Sequence, residues 1–326
     1  MEASCNIYKK RGEKMFKVTK RIFLVSVLCS SIVLLSSPSL SSKDVYAASD
    51  NTSVLVNNEG LQNQKGSINW DKGSESDVEA IGIGLPPENM GARGNVLARR
   101  AAVVDAQRNL AEMIQGVQID SDTVMENLVI SNDEVRSKVS AMVRGARIID
   151  EGMNEDGSYF VKMRVPMYGV TNSIASVALP ALRENLEAEP LPEVTESTLS
   201  EQDMKDVRSA AYTGIVINAE GMGLEPTFSP VIYDVNGRIV YGIRNLDYDK
   251  AISQGMVAYS SSLEAATHGN RAGDNPLVVN AIGVRGGKNS VNKVNVVVSV
   301  EDADRILLAC ESSTGILQRC AVVFVR

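Results

Sequence analysis

The chain holds one histidine, one tryptophan and four cysteines, and only 5% of its residues are aromatic. A lone histidine excludes multi-histidine metal sites. It leaves any histidine-activated nucleophile dependent on His268, which sits in a turn-like ATHGN segment and reads as a solvated loop residue. There is no G-x-S-x-G turn, no H-E-x-x-H helix and no Cys/His metal spacing. The segment GVRGGKNS lacks the four-residue gap before Gly-Lys and has Asn289 where a phosphate loop needs Ser or Thr, so it reads as a hairpin turn. Gly82, Gly84, Gly91 and Gly94 flank a strand that stops at Pro86-Pro87, which is no dinucleotide fingerprint. Asp120, Asp122 and Glu126 do not amount to a calcium loop. These absences predict a protein that is not an enzyme and has no catalytic, cofactor-binding or metal-ligating residues.

Long apolar runs are also missing. Ile22 to Leu35 spans about fourteen residues, short of the roughly twenty that cross a bilayer, and follows a basic stretch from Lys9 to Arg21. This is the pattern of a signal peptide, with cleavage expected near Ala47 and an exported, periplasmic or surface-associated product without a transmembrane span. Leu28 before Cys29, and the mid-run position of Cys29, argue against lipidation there. Removing the basic leader makes the formal net charge of −7 still more negative, a surface that repels nucleic acid. Cys310 and Cys320 then remain. They are either a disulfide closing a short loop, contributing about 2–3 kcal/mol, or two buried thiols packed as small apolar groups.

Five segments follow from composition and period. Residues 1–47 are the leader and 48–74 a flexible, Asn/Ser/Gly-rich lead-in whose Trp70 is expected to dock on the first domain. Residues 75–182 read as a strand at Val78–Leu85, then the alanine-dense helix LARRAAVVDAQRNLAEMIQG with Val96, Val103, Ala106, Leu110 and Met113 as its apolar stripe. One or two strands over Val117–Ile130 come next, then a helix opened by Ser131 and Glu134, two strands around Asp156-Gly157, and a closing helix. Residues 183–206 are acidic and read as a solvated linker. Residues 207–326 carry a strand at Tyr212–Ala219, a hairpin around Asn236-Gly237, and a second hairpin from Leu277–Val284 to Val294–Val298. A helix capped by Ser299 and a central strand at Cys320–Val325 complete it. The fold class is α+β, two domains, each a mostly antiparallel sheet with helices packed on one face.

The elements A-x-x-x-D-A-x-R-N-L (Ala101, Asp105, Ala106, Arg108, Asn109, Leu110), then G-V-Q-I-D, and later R-G-A-R-I (Arg144 to Ile148) carry a resemblance. The stretch from about 78 to 167 resembles the LPP-twenty lipoprotein family, which includes the flagellar outer-membrane assembly proteins P and T. The resemblance implies an exported α+β domain used in envelope assembly, often as an oligomer, and not in catalysis.

The expected function is therefore envelope or surface-structure assembly through self-association or a protein partner. The alternative is a soluble periplasmic binding module for a glycan or peptide, with Tyr248 and Tyr259 as its aromatic candidates. Such tyrosines more often serve hairpin cross-strand packing than a sugar platform.

Overall fold

Two glycines on one strand set the geometry of the first half. The strands are β1 (Gly66–Asn69), β2 (Asp77–Gly84), β3 (Arg147–Met153) and β4 (Tyr159–Pro166), ordered β1-β2-β4-β3 and antiparallel throughout. Helix α1 (Gly91–Gln115) lies across β2, where Gly82 and Gly84 leave no Cβ between strand and helix backbone. The computed structural model describes residues 65–326 apart from 185, 196–198, 288–289 and 313–314, all in one compact unit. The expected signal peptide, Cys29 and most of the lead-in lie outside the described residues.

Close approach decides which side of α1 is buried. Ala98, Ala102, Ala106, Leu110 and Ile114, each four residues apart, face the sheet, whereas Val96 of the expected stripe is 54% exposed. Only alanines fit over the glycines, so the larger Val96 is turned away. The lead-in also departs from expectation: residues 66–69 form β1, paired with Asp77–Ala80 of β2.

The stretch expected as strands over Val117–Ile130 contains a single bridge, Gln118 with Val124, and then helix α2 (Met125–Ser131). Helix α3 (Asp133–Arg144) is capped by Asn132, not Ser131: its side-chain oxygen accepts from the Glu134 and Val135 amides. Val135, Val139 and Met142 are buried as expected, and α4 (Ile174–Arg183) closes this half with a Ser173 capping box.

The acidic segment is laid against the second half rather than left in solvent. Leu191, Val194 and Leu199 pack on the core. The Arg238 guanidinium donates to the Glu193 carbonyl at 2.9 Å, and it pairs with the buried carboxylates of Asp234 (2.9 Å) and Asp304 (2.8 Å). Helix α5 (Glu201–Ser209), capped by Ser200, packs on α8 (Val300–Ser312).

The second half has two sheets. Strands β5 (Gly214–Asn218), β8 (Ala258–Ser260), β9 (Pro276–Asn280) and β12 (Val322–Val325) form an all-parallel sheet ordered β8-β12-β5-β9. Strands β6 (Ile232–Asp234), β7 (Ile239–Tyr241), β10 (Gly283–Arg285) and β11 (Asn295–Val298) form the other, ordered β10-β11-β6-β7. The fold is α+β and mostly antiparallel as a whole, and the parallel sheet is the feature peculiar to this half. The VVFV of β12 is buried throughout, as a central parallel strand covered on both faces requires. The stretch expected as one strand at Leu277–Val284 breaks in two: β9 joins the parallel sheet and β10 pairs with β11. Helices α6 (Tyr248–Gln254) and α7 (Leu263–Thr267) fill the connections around β8.

Candidate functional site: a cleft where the halves meet

Trp70 docks on the second half, contrary to expectation. Its ring meets Phe228 edge-on at 5.2 Å and Tyr259 at 6.0 Å, while Tyr168 meets Phe228 at 5.3 Å and Tyr259 meets Phe324 at 6.1 Å. Two aromatics from the first half and three from the second thus form one edge-to-face cluster, and the apolar core runs continuously through both halves. Outside it, Arg326 binds Asp71 through two contacts at 3.1 Å.

Beside this cluster opens a cleft of about 720 Å³. One wall is the segment Asp71–Glu75, which includes a 3-10 turn at Gly73–Glu75. The other is built from α6, β8, the loop after α7, and the entry to β12. Tyr259 lies under its floor, 3% exposed, with its hydroxyl donating to the Thr227 carbonyl (3.0 Å) and accepting from the Thr227 amide (2.9 Å). Burial raises its pKa well above that of a free phenol. Tyr248 lies beneath the Arg183 guanidinium, 4.6 Å from its ring centre, and does not line the cleft. The structure does not bring the two tyrosines together as a platform.

Charge is what the cleft does present. Lys250, Arg271 and Arg319 line it, and none makes an ion pair with a carboxylate among the described residues. Arg271 is held by backbone alone: Nε donates to the Cys320 carbonyl (2.6 Å), Nη1 to the Gln254 carbonyl (2.8 Å) and Nη2 to the Gly255 carbonyl. Its pKa is lowered because burial disfavours the charge. Gln254 in turn donates to the Arg319 carbonyl at 2.9 Å, which ties the three basic positions into one frame. Two unusual backbone conformations present these carbonyls, Gly255 at φ +86° and Cys320 at φ +57°. The second is costly for a residue with a Cβ.

Cys310 and Cys320 are free, buried thiols, and burial raises both pKa values, that of Cys310 to about 12. His268 is exposed, with Nδ1 2.9 Å from the Glu264 carbonyl. Asp120 accepts the amides of Asp122 and Thr123, both at 2.8 Å, and so forms a turn rather than a ligand set. Among the described residues no group of three or more His, Cys, Asp or Glu side chains is placed to hold a metal.

A second surface lies on the outer side of α1. Leu97, Ala101 and Val104 are exposed there, with Val104 at 66%, between Arg93, Arg100 and Arg108. Arg108 pairs with Asp105 at 2.8 Å, whereas Arg93 and Arg100 form no ion pair among the described residues. Sequence reading missed both basic groups. The cleft cations stand at positions 250, 271 and 319, and no local pattern joins them.

Residues 69–165 match the LPP20 lipoprotein family, over a segment that ends within β4. Residues 214–326 match a domain described as the second domain of Tp0624 of Treponema pallidum, and this segment begins at β5. No curated protein matches the chain. The family matched by the first segment is a lipoprotein family and not a known enzyme family. No helix among the described residues is long and apolar enough to cross a membrane.

Proposed function

We propose that this protein is a non-catalytic component of the cell envelope that assembles with further copies of itself. The lipoprotein match supports the location. The outer face of α1 supports the activity: an apolar strip of Leu97, Ala101 and Val104 runs beside Arg93 and Arg100, which form no ion pair among the described residues, on a net acidic chain. The complementary surface is present in the same molecule. Glu187, Glu193, Glu201, Asp203 and Asp206 are exposed along the acidic segment and α5. Basic helix on acidic segment is a heterologous contact, which closes into rings or extends into filaments rather than stopping at a dimer.

Light scattering on purified residues 48–326 across a concentration and salt series tests this reading. Association that weakens with salt and is lost in Arg93→Glu/Arg100→Glu supports it. A monomer at every concentration and salt overturns self-assembly.

A further inference from the structure

We propose that the junction cleft is a binding site for a small organic oxyanion, a carboxylate or phosphate group carried on a hydroxylated body. This goes beyond the assembly reading and rests on a different face of the molecule. The cleft volume of about 720 Å³ falls within the size range of small-molecule sites, roughly 300–1,000 Å³.

Its charge is opposite to that of the chain. The net charge is −7, yet Lys250, Arg271 and Arg319 converge here from α6, the loop after α7 and the turn before β12. The negative groups on the facing wall do not cancel them. Asp71 is engaged by Arg326, which leaves Glu75. A largely desolvated guanidinium satisfied only by carbonyl dipoles is an expensive arrangement. Here it is maintained by Cys320 in a left-handed conformation. An incoming oxyanion supplies the missing counter-charge.

The remaining lining suits a hydroxylated ligand body: Ser260, Ser261, Asn270 and Gln254 offer hydroxyl and amide groups around the charged end. Lys250 and Arg319 are exposed and contact the ligand directly. Arg271 is a positioning residue that fixes the Gln254–Gly255 and Cys320 backbone.

The molecule carries its own reporter. Trp70 is the only tryptophan, its ring meets the floor residue Tyr259, and Asp71 and Lys72 follow it in the wall. Inorganic phosphate and D-glucuronate, titrated at constant ionic strength with glucose as the neutral control, are read by Trp70 fluorescence and by calorimetry. We expect a saturable response to at least one anion and none to glucose. Lys250→Glu/Arg319→Glu weakens the affinity at least about tenfold, equivalent to about 1.4 kcal/mol. Lys138→Glu, on α3 and outside both the cleft and the basic face of α1, leaves it unchanged. Both sets change exposed side chains and retain the wild-type circular dichroism spectrum. Absence of a saturable calorimetric response to either anion overturns the proposal. So does equal weakening by Lys138→Glu, which reports general attraction instead of a site. Because ligand binding and oligomeric mass are read separately, failure of this proposal is distinct from failure of the assembly reading.

Discussion

Gly82 lies against Ala106 so closely that a Cβ added to the glycine would stand 2.0 Å from the Ala106 nitrogen and 2.2 Å from the Ala102 carbonyl oxygen. Both obstacles are backbone, so neither can rotate away. Gly82→Ala must lift α1 from β2, and overpacking of this kind costs about 1–3 kcal/mol or more. Urea unfolding measures the loss. Gly283→Ala is the control: nothing lies within 4 Å of its added Cβ, and its stability stays near wild type. Equal midpoints for the two variants would show that the helix does not sit on the glycines.

The same contact explains the polar residues of the A-x-x-x-D-A-x-R-N-L motif. β1 pairs with β2 only as far as Ala80, and the Lys65 carbonyl then accepts the Ile81 amide. Beyond it the Ile83 amide donates to the Asp105 carboxylate at 3.0 Å, and Asn109 donates to the Ile81 carbonyl at 2.7 Å. Two helix side chains thus continue the ladder where the edge strand ends, and they close an edge that would otherwise be free to pair. Asp105→Ala leaves the Ile83 amide without its acceptor. The expected cost is about 1–3 kcal/mol, with faster hydrogen exchange localised at Ile83. Unchanged protection there would refute the role.

Periodicity and punctuation were legible where local physics dominates. The Asn236-Gly237 hairpin, the Ser299 cap and the apolar β12 are set by turn chemistry, capping and burial within a few residues of each position. What was not legible depends on partners distant in sequence. The buried side of α1 is chosen by glycines some twenty residues upstream, not by its own largest side chains. The split of Leu277–Val284 between two sheets follows from β5, which is remote in sequence and takes β9, while β10 pairs with the next strand, β11. The cleft cations are brought together by the parallel sheet, an arrangement with no period to read. Tyr259 is a candidate ligand aromatic by residue type, which does not show that its strand β8 buries it.

The halves are expected to unfold together. Trp70 from the lead-in fills an aromatic cluster otherwise completed by Tyr168, Phe228, Tyr259 and Phe324, so neither half retains a complete core without the other. Trp70 fluorescence and far-ultraviolet circular dichroism should give coincident urea transitions, the signature of a single cooperative unit. Trp70→Phe should retain one transition at lower stability, and Trp70→Ala should lose about 3–5 kcal/mol. Two separated transitions in the wild type would show that the halves are independent.

Alkaline pH provides the last prediction, because burial shifts the thiols and phenols of the core upward. Burial raises the Cys310 thiol from 9.0 to about 12, raises Cys320, and lifts the phenols of Tyr168, Tyr241 and Tyr259 above their ordinary value of 10.0. The folded protein therefore keeps protons that the unfolded chain releases from about pH 9 upward. Where the native state binds more protons, stability falls as pH rises. The stabilising difference is fully present below about pH 9 and is lost progressively toward pH 12. Urea midpoints should be insensitive to these groups near neutrality and drop steeply above about pH 9. In the folded state the thiols should resist iodoacetamide at about pH 8, where an exposed cysteine is partly thiolate, and react once urea unfolds the chain. Rapid alkylation of the native protein, or midpoints unchanged through about pH 11, would contradict the burial of these groups.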